Sequence, residues 1–258
     1  MKPKSNRILV LLAGFTERYV LSVVFLCLAA AEIKKIRGIL SGWFIPETTV
    51  FIDVIHHLVL LLLGLFTGLL LLVGRRAEVP PERMKFIFIP LATTFFYLFY
   101  YTVPWFPAAW QANLSPRGWQ MPFLAAGLAC LIIGPTLSLW GILHLARSFG
   151  IFVTVRKVVT TGPYQWVRHP MYLGGVFLSV GVALANFSAA FFLLVALHIS
   201  LLLYRAHLEQ TQLSAHSPEY REYMERTRFL FPKLRWPSSA GRRRKDRRRS
   251  LEEDGRPV

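Results

Sequence analysis

Two adjacent residues, Arg168 and His169, stand directly before a long apolar segment that covers residues 171–204. A fixed positive charge and a titratable ring are costly at the edge of a membrane unless the protein uses them. Pro170 suits the first turn of a helix, whose free backbone amides attract a carboxylate or a phosphate. The guanidinium of Arg168 offers a planar fork to the same groups. These residues therefore indicate an anion-binding site at a membrane surface.

A purely structural interpretation of the same residues stays open. Arg168 would then extend toward the lipid headgroups, next to an interfacial histidine. Neighbouring aromatic side chains would anchor the chain at the interface, as Trp and Tyr commonly do. These aromatic residues are Tyr164, Trp166 and Tyr172.

Two blocks of motifs flank the apolar segment. The first block contains Arg147-Ser148-Phe149-Gly150, residues 158–164, and Arg168-His169-Pro170-Met171-Tyr172-Leu173-Gly174. The second block contains Glu209, Tyr220, Tyr223 and Pro232. In order and spacing, the blocks resemble the isoprenylcysteine carboxyl methyltransferases and their relatives, the phospholipid N-methyltransferases, over residues 121–233. The chain departs from the family at Glu209, where the family usually has two adjacent glutamates, and at His216-Ser217, where it has Phe-Gly.

The resemblance implies an integral membrane enzyme that uses S-adenosylmethionine and takes a lipid or lipidated acceptor sideways from the bilayer. It implies a cofactor site at the cytosolic face, between the loop 162–169, the apolar segment and residues 209–220. The residues that the resemblance assigns to cofactor binding are Gly162, Tyr164, His169, Pro170, Tyr172, Gly174, Glu209 and Tyr220.

Two of the motif residues, Arg168 and Glu209, are the expected catalytic residues. Methyl transfer to an anionic nucleophile is an in-line displacement that depends on alignment more than on acid–base chemistry. Arg168 would orient a carboxylate acceptor of the isoprenylcysteine type, which is the acceptor that we expect. An amine acceptor would first have to lose a proton, and Glu209 or His169 would then be the base.

Long apolar blocks define the elements that position these residues. Hydrophobic residues make up 54% of the chain and its mean hydropathy is +0.43, while charged residues make up only 17%. Soluble domains have roughly 25% charged residues, so this composition indicates a membrane protein. A membrane span needs about 20 apolar residues. The apolar blocks are a weak one at 19–33 and stronger ones at 50–73, 86–103, 121–146 and 171–204.

The last block, residues 171–204, is too long for one span and is interrupted by Asn186-Phe187-Ser188. We therefore expect a helical hairpin with a tight turn at membrane depth, whose two ends return to the same side. The alternative is one long tilted helix that projects into water. The predicted fold is an all-α integral membrane protein with about four transmembrane helices, a C-terminal helical hairpin and a cytosolic cofactor-binding segment.

Basic loops orient the predicted helices, because short cytoplasmic loops are enriched in Lys and Arg. Such residues cluster at the amino terminus and in the loops 74–85 and 147–168. The loop 104–120 has one basic residue and three tryptophans, which is typical of the outer interface. The candidate site is thus predicted on the cytosolic side, most simply of the plasma (inner) membrane. Lys34, Lys35 and Arg37 would lie outside and oppose this topology.

The chain is predicted to have three regions. Residues 1–118 form an amino-terminal transmembrane region outside the matched motifs, and residues 119–236 form a methyltransferase-like membrane core. Residues 237–258 form a tail that carries much of the net charge of +16. On a membrane protein, such a basic tail is expected to rest on anionic headgroups rather than to bind nucleic acid.

Two other function classes stay open. Sterol reductase-like membrane enzymes, which use NADPH, have a related Arg-His-Pro motif, but Asn-Tyr usually follows it where this chain has Met171-Tyr172. A non-catalytic membrane protein would have no cofactor pocket. No metal site is expected, because Asp53, His56 and His57, although they share a helical face, are interpreted as an interfacial polar cluster.

Overall fold

The computed structural model describes residues 7–41, 48–75, 77–78, 81, 83–116 and 118–231. Pro232 and the predicted basic tail lie outside the described residues. The α-helices are α1 (Arg7–Phe15), α2 (Leu21–Ser41), α3 (Thr48–Val73), α4 (Lys85–Thr94), α5 (Ala108–Gln111), α6 (Gln120–Leu145), α7 (Pro170–Asn186), α8 (Ala189–His216) and α9 (Pro218–Arg226). The described residues contain no strand, apart from a single parallel bridge between Val167 and Arg228.

Four helical stretches are long and apolar enough to cross a membrane, namely Val10–Ser41, Val54–Val73, Gln120–Ser148 and Ala189–His216. The first of them joins α1 to α2 through a π-helical turn at Thr16–Val20. The predicted all-α membrane fold is therefore confirmed. The first crossing also extends well beyond the weak apolar block 19–33.

The third apolar block, predicted as one crossing at 86–103, forms a bent pair of helices. It consists of α4 and a 3-10 helix, Phe96–Trp105, which meet at an angle of 49°. Pro90 in α4 has no amide hydrogen, so the carbonyl of Phe86 cannot receive its usual helical bond. The amide of Val153 donates to that carbonyl instead, at 3.0 Å. Together the two helices are apolar enough to form this one crossing, which is then broken at Phe95.

α7 and α8 form the predicted hairpin. Ser179 Oγ lies 2.9 Å from His198 Nδ1, and nearer the other end Tyr172 donates to Glu209, so the two helices run antiparallel. The chain reverses at Phe187, whose backbone is left-handed with φ of 43°. The carbonyl of Phe187 accepts a hydrogen bond from the amide of Leu114 at 2.8 Å. The loop predicted at the outer interface therefore covers the turn, and both ends of the hairpin return to the opposite side.

Glycines let α6 and α7 pack closely. A Cβ atom on Gly134 would lie 2.6 Å from the carbonyl oxygen of Gly174, and one on Gly127 would lie 3.0 Å from that of Gly181. These contacts again run in opposite directions along the two helices. In lipid, where burial of apolar surface does not drive helix association, small residues at the interface permit this backbone approach.

Because α6 and α7 approach so closely, we expect alanine to destabilise the protein at Gly134 but not at Gly38. Gly134→Ala should lower the thermal unfolding midpoint in detergent, because overpacking of a tight interface costs about 1–3 kcal/mol. Gly38→Ala is the matched control, since a Cβ there meets no atom within 4 Å and alanine favours a helix. Equal midpoints for the two variants would contradict the proposed packing.

Candidate active site at one end of the hairpin

The two motif blocks meet at one end of the hairpin because α9 folds back onto the loop before α7. The hydroxyl of Tyr223 donates to the carbonyl of Tyr164 at 2.6 Å, across 59 positions of sequence. Arg168 Nη1 donates to the carbonyl of Met224 at 3.0 Å, and the amide of Arg168 donates to the carbonyl of Arg228 at 2.8 Å. These bonds fix the backbone of the Arg-His-Pro motif against the second block.

A carboxylate, a phenol and a guanidinium lie together between α7 and α8. The hydroxyl of Tyr172 donates a short hydrogen bond to Glu209 Oε1. Arg205 Nε lies 3.5 Å from the same oxygen, one helical turn earlier on α8. The guanidinium of Arg205 also lies over the ring of Tyr172, with its carbon 5.4 Å from the ring centroid. A hydrogen bond from α7 and an ion pair within α8 therefore hold the carboxylate of Glu209 in a fixed position.

Arg205 is buried, with 8% of its surface exposed, and most of its partners are backbone and hydroxyl oxygens. Its Nη1 donates to the carbonyl of Pro90 (3.3 Å) and to the hydroxyls of Thr93 (2.9 Å) and Thr94 (3.0 Å). Its Nη2 donates to the carbonyl of Ile151 at 2.6 Å. A buried charge is tolerated only when its donors are used in this way.

His169 is a neutral ring at the start of α7. Burial disfavours its charged form, and the positive charge of Arg168 adds to the effect, so the pKa of His169 falls to about 3. The ring packs against Phe229 and Tyr172, with centroid distances of 5.0 and 5.3 Å. Within the described part of the chain its buried Nε2 has no hydrogen-bond partner. At neutral pH this side chain is therefore an uncharged polar group available to a ligand.

A cavity of about 120 Å³, here called the Glu209 cavity, connects these groups. Its lining residues are Leu145, Ser148, Phe149, Gly150, Phe152, Thr154, Arg156, Lys157, Val158, Val159, Tyr164, Arg168, His169, Met171, Tyr172, Arg205, Glu209, Leu213, Tyr220 and Tyr223. Four of them are basic and one is acidic, so the lining is positively charged overall. Burial raises the pKa of Tyr164 and Tyr220, and raises that of Tyr223 to about 12, so these phenols remain protonated donors.

Six of the residues predicted for the site line this one cavity, namely Tyr164, Arg168, His169, Tyr172, Glu209 and Tyr220. Gly162, Pro170 and Gly174 do not. A Cβ on Gly174 would lie 2.3 Å from Ser138 Oγ, so this glycine serves the packing of α6 on α7. Gly162 has φ of 61° and turns the chain tightly against His144, while Pro170 begins α7. Gly162, Pro170 and Gly174 therefore affect the site through the backbone conformation and the helix packing around it.

The sequence analysis did not assign three charged residues to this region. Arg205 and Arg156 line the Glu209 cavity, and Glu17 binds Arg156 at 2.7 Å from the far end of the sequence. The signal that marks Arg205 and Glu17 is an ionisable side chain inside an apolar span, which is rare unless it is functional or paired.

Comparison with known proteins supports the resemblance of the motif blocks. Residues 123–216 match the family of phospholipid methyltransferases. The nickel-cobalt-cadmium resistance protein NccN of Alcaligenes xylosoxydans xylosoxydans is 32% identical over 122 residues, which are 45% of this chain and 55% of that protein. The cobalt-zinc-cadmium resistance protein CzcN of Cupriavidus metallidurans is 32% identical over 121 residues, 45% of this chain and 52% of that protein. The chain thus spans about half the length of these relatives.

The buried neutral ring of His169 predicts a loss of stability in acid. Its pKa in the folded protein is about 3, below the ordinary 6.5, so the unfolded chain takes up the proton first. The free energy of unfolding is therefore at its full value above pH 6.5, and it decreases as the pH falls from 6.5 toward 3. His169→Asn, which does not titrate, should flatten this part of a plot of thermal midpoint against pH. Parallel curves for the two proteins would show that His169 is not held neutral.

Proposed function

We propose, from the match of residues 123–216 to the phospholipid methyltransferase family of integral membrane methyltransferases, that this protein is an S-adenosylmethionine-dependent methyltransferase. The acceptor is a lipid or a lipidated molecule, with a carboxylate as the favoured nucleophile. The observation that carries the proposal is the convergence of both motif blocks on the Glu209 cavity. Six residues from separate parts of the chain line this cavity. If these residues only anchored the chain at the membrane interface, they would not need to lie together.

The polar groups of the Glu209 cavity suit this cofactor. His169 Nε2, Arg168 Nε and the hydroxyl of Tyr220 are buried and lack partners among the described residues, which indicates a polar ligand. When bound, S-adenosylmethionine supplies an activated methyl group on a positively charged sulfur. The carboxylate of Glu209 would attract its positive charges, and the neutral ring of His169 would not repel them. The basic residues would bind its carboxylate or that of the acceptor.

The charges of the cavity favour a carboxylate over an amine as the nucleophile. A carboxylate oxygen forms its bond to the methyl carbon while the carbon–sulfur bond breaks, and no proton has to move. Arg168 would orient that carboxylate. An amine would need a base, and His169, with a pKa of about 3, is a weak proton acceptor. Glu209 already accepts hydrogen bonds from Tyr172 and pairs with Arg205.

Cofactor entry requires the Glu209 cavity to widen. Its volume of about 120 Å³ is small beside ligand pockets of roughly 300–1,000 Å³. α9 is the element that we expect to move, because it is short, its buried face lines the cavity with Tyr220 and Tyr223, and its exposed face is highly charged. We infer that α9 closes over the bound cofactor and excludes water from the reacting atoms.

The basic loops support the proposal of a cytosolic site. The amide of Arg75 donates to the carbonyl of Arg147 at 2.8 Å, and the amide of Glu78 donates to that of Val155 at 2.8 Å. The two basic loops therefore lie at the same end of the molecule as the Glu209 cavity. This arrangement supports a cytosolic cavity in the plasma (inner) membrane.

Both relatives are named as metal resistance proteins, so a role with metals is the second candidate function to consider. In the part of the chain that the structure describes, no three His, Cys, Asp or Glu side chains form a group suited to a metal ion. The match of residues 123–216 to the phospholipid methyltransferase family favours the methyltransferase assignment, which is the one that we propose.

Cofactor binding tests the proposal directly. Purified protein in uncharged detergent should bind S-adenosylmethionine but not NADPH in calorimetric titrations. Incubation with methyl-labelled S-adenosylmethionine and a total membrane extract should then label a lipid or lipidated species, whose chemistry identifies the acceptor. Binding of NADPH alone would favour the reductase, and binding of neither would favour a non-catalytic protein.

Two conservative variants separate the roles of the cavity residues. Arg168→Lys keeps the charge but loses the bidentate fork, so turnover should fall by about a hundredfold through misalignment, with cofactor affinity nearly unchanged. Glu209→Gln should weaken cofactor binding as well as turnover. Arg226→Lys is the control, because the side chain of Arg226 is 78% exposed and lies outside the cavity. A fully active Arg168→Lys enzyme would refute the orienting role.

A further inference from the structure

A second and larger cavity lies beside the first span and is named here the Glu17 cavity. Its volume is about 370 Å³. It is bounded by the π-helical turn Thr16–Val20, by the end of α3, and by the segment 149–156. Most of its walls come from residues before 118, outside the part of the chain that matches the methyltransferase family.

Glu17 fixes one wall of this cavity. Its Oε1 accepts hydrogen bonds from the amides of Ile151 (2.7 Å) and Phe152 (2.9 Å), and its Oε2 pairs with Arg156 Nη2 at 2.7 Å. The π-helical turn places Glu17 there, and such turns recur at functional sites. The first span therefore holds the segment 149–156 through one carboxylate.

The segment 149–156 separates the Glu17 cavity from the Glu209 cavity. Phe149, Phe152, Thr154 and Arg156 line both the Glu17 cavity and the Glu209 cavity. A molecule in the Glu17 cavity is thus separated from the candidate cofactor site by a single layer of side chains.

The Glu17 cavity is amphipathic. Arg18, Arg75 and Arg156 line it, and its one acidic lining residue in the described chain, Glu17, is already paired with Arg156. Arg18 donates to the carbonyl of Gly74 at 2.6 Å, which holds its guanidinium at the end of α3. The apolar side is formed by residues of the first span that reach the outer surface of the helix bundle. Leu11 and Phe15 are 72% and 59% exposed there.

We propose that the Glu17 cavity binds the anionic headgroup of a membrane amphiphile, whose hydrocarbon chain lies along Leu11 and Phe15. The headgroup is a phosphate or a carboxylate, which Arg18 and Arg75, neither of them paired with a carboxylate of the described residues, can bind. The amphiphile is the methyl acceptor held before transfer, an assignment that rests on the proposed function. The amino-terminal region would then supply the acceptor site, and the matched family region the cofactor site.

The test measures binding of fluorescent amphiphiles to the full chain in uncharged detergent micelles. The probes are phosphatidylglycerol, a prenylated thioether carboxylate and, as a reference without net charge, phosphatidylcholine. Gly14→Phe fills the cavity, because a Cβ on this lining residue meets no atom within 4 Å. Arg75→Gln removes a charge. The matched controls are Gly38→Phe, at an equally open glycine outside the cavity, and Arg226→Gln.

We expect an anionic probe to bind the natural protein about tenfold more tightly than phosphatidylcholine, and both cavity variants to lose this preference. Both controls should retain it, and S-adenosylmethionine should bind all the proteins equally. The tighter anionic probe identifies phosphate or carboxylate as the natural group. Unchanged preference in Gly14→Phe, or equal binding of all three probes, would overturn the proposal. Loss of cofactor binding with an intact preference would overturn the methyltransferase assignment and leave the amphiphile site standing.

Discussion

The buried guanidinium of Arg205 is the constraint on which the site depends. An arginine inside an apolar helix is stable only if oxygen atoms surround it, and this one draws its oxygens from three separate parts of the chain. The bent pair supplies a carbonyl and two threonine hydroxyls, the segment 149–156 supplies the carbonyl of Ile151, and Glu209 supplies a carboxylate. The position of Glu209, and through it that of Tyr172, follows from satisfying this single charge.

Two prolines free helix carbonyls to bond to other segments of the chain. Pro90 and Pro135 each leave a carbonyl one turn earlier without its helical donor. The carbonyl of Phe86 then receives the amide of Val153, and the carbonyl of Leu131 lies 3.0 Å from His56 Nδ1. Each bond joins the amino-terminal region to the family-matched region. The two regions are therefore packed as parts of one structure, however the boundary between them is drawn.

Both cavities carry more positive than negative charge among the described residues that line them. Each contains one carboxylate that basic side chains already neutralise, and each retains further arginines. Near a membrane surface, such surplus positive charge is expected to attract anionic groups. The neutral state of His169, enforced by burial next to Arg168, keeps one surface of the Glu209 cavity free of additional positive charge. A cationic cofactor and an anionic acceptor can both be accommodated by this distribution.

The sequence by itself determined the all-α membrane class, the hairpin with its turn near Phe187, and the Arg168-to-Glu209 motif residues. These features depend on local hydrophobicity, on interruptions of the apolar segments, and on motif order, all of which can be read directly from the sequence. The sequence did not predict the bond that Pro90 leaves to Val153, the packing role of Gly174, or the contributions of Arg205 and Glu17. Each of these depends on a partner more than 35 residues away, such as Ser138 for Gly174 and Ile151 for Glu17. Only the tertiary structure decides which distant carbonyl or amide satisfies a buried charge, because many oxygens along the chain are chemically equivalent before it folds.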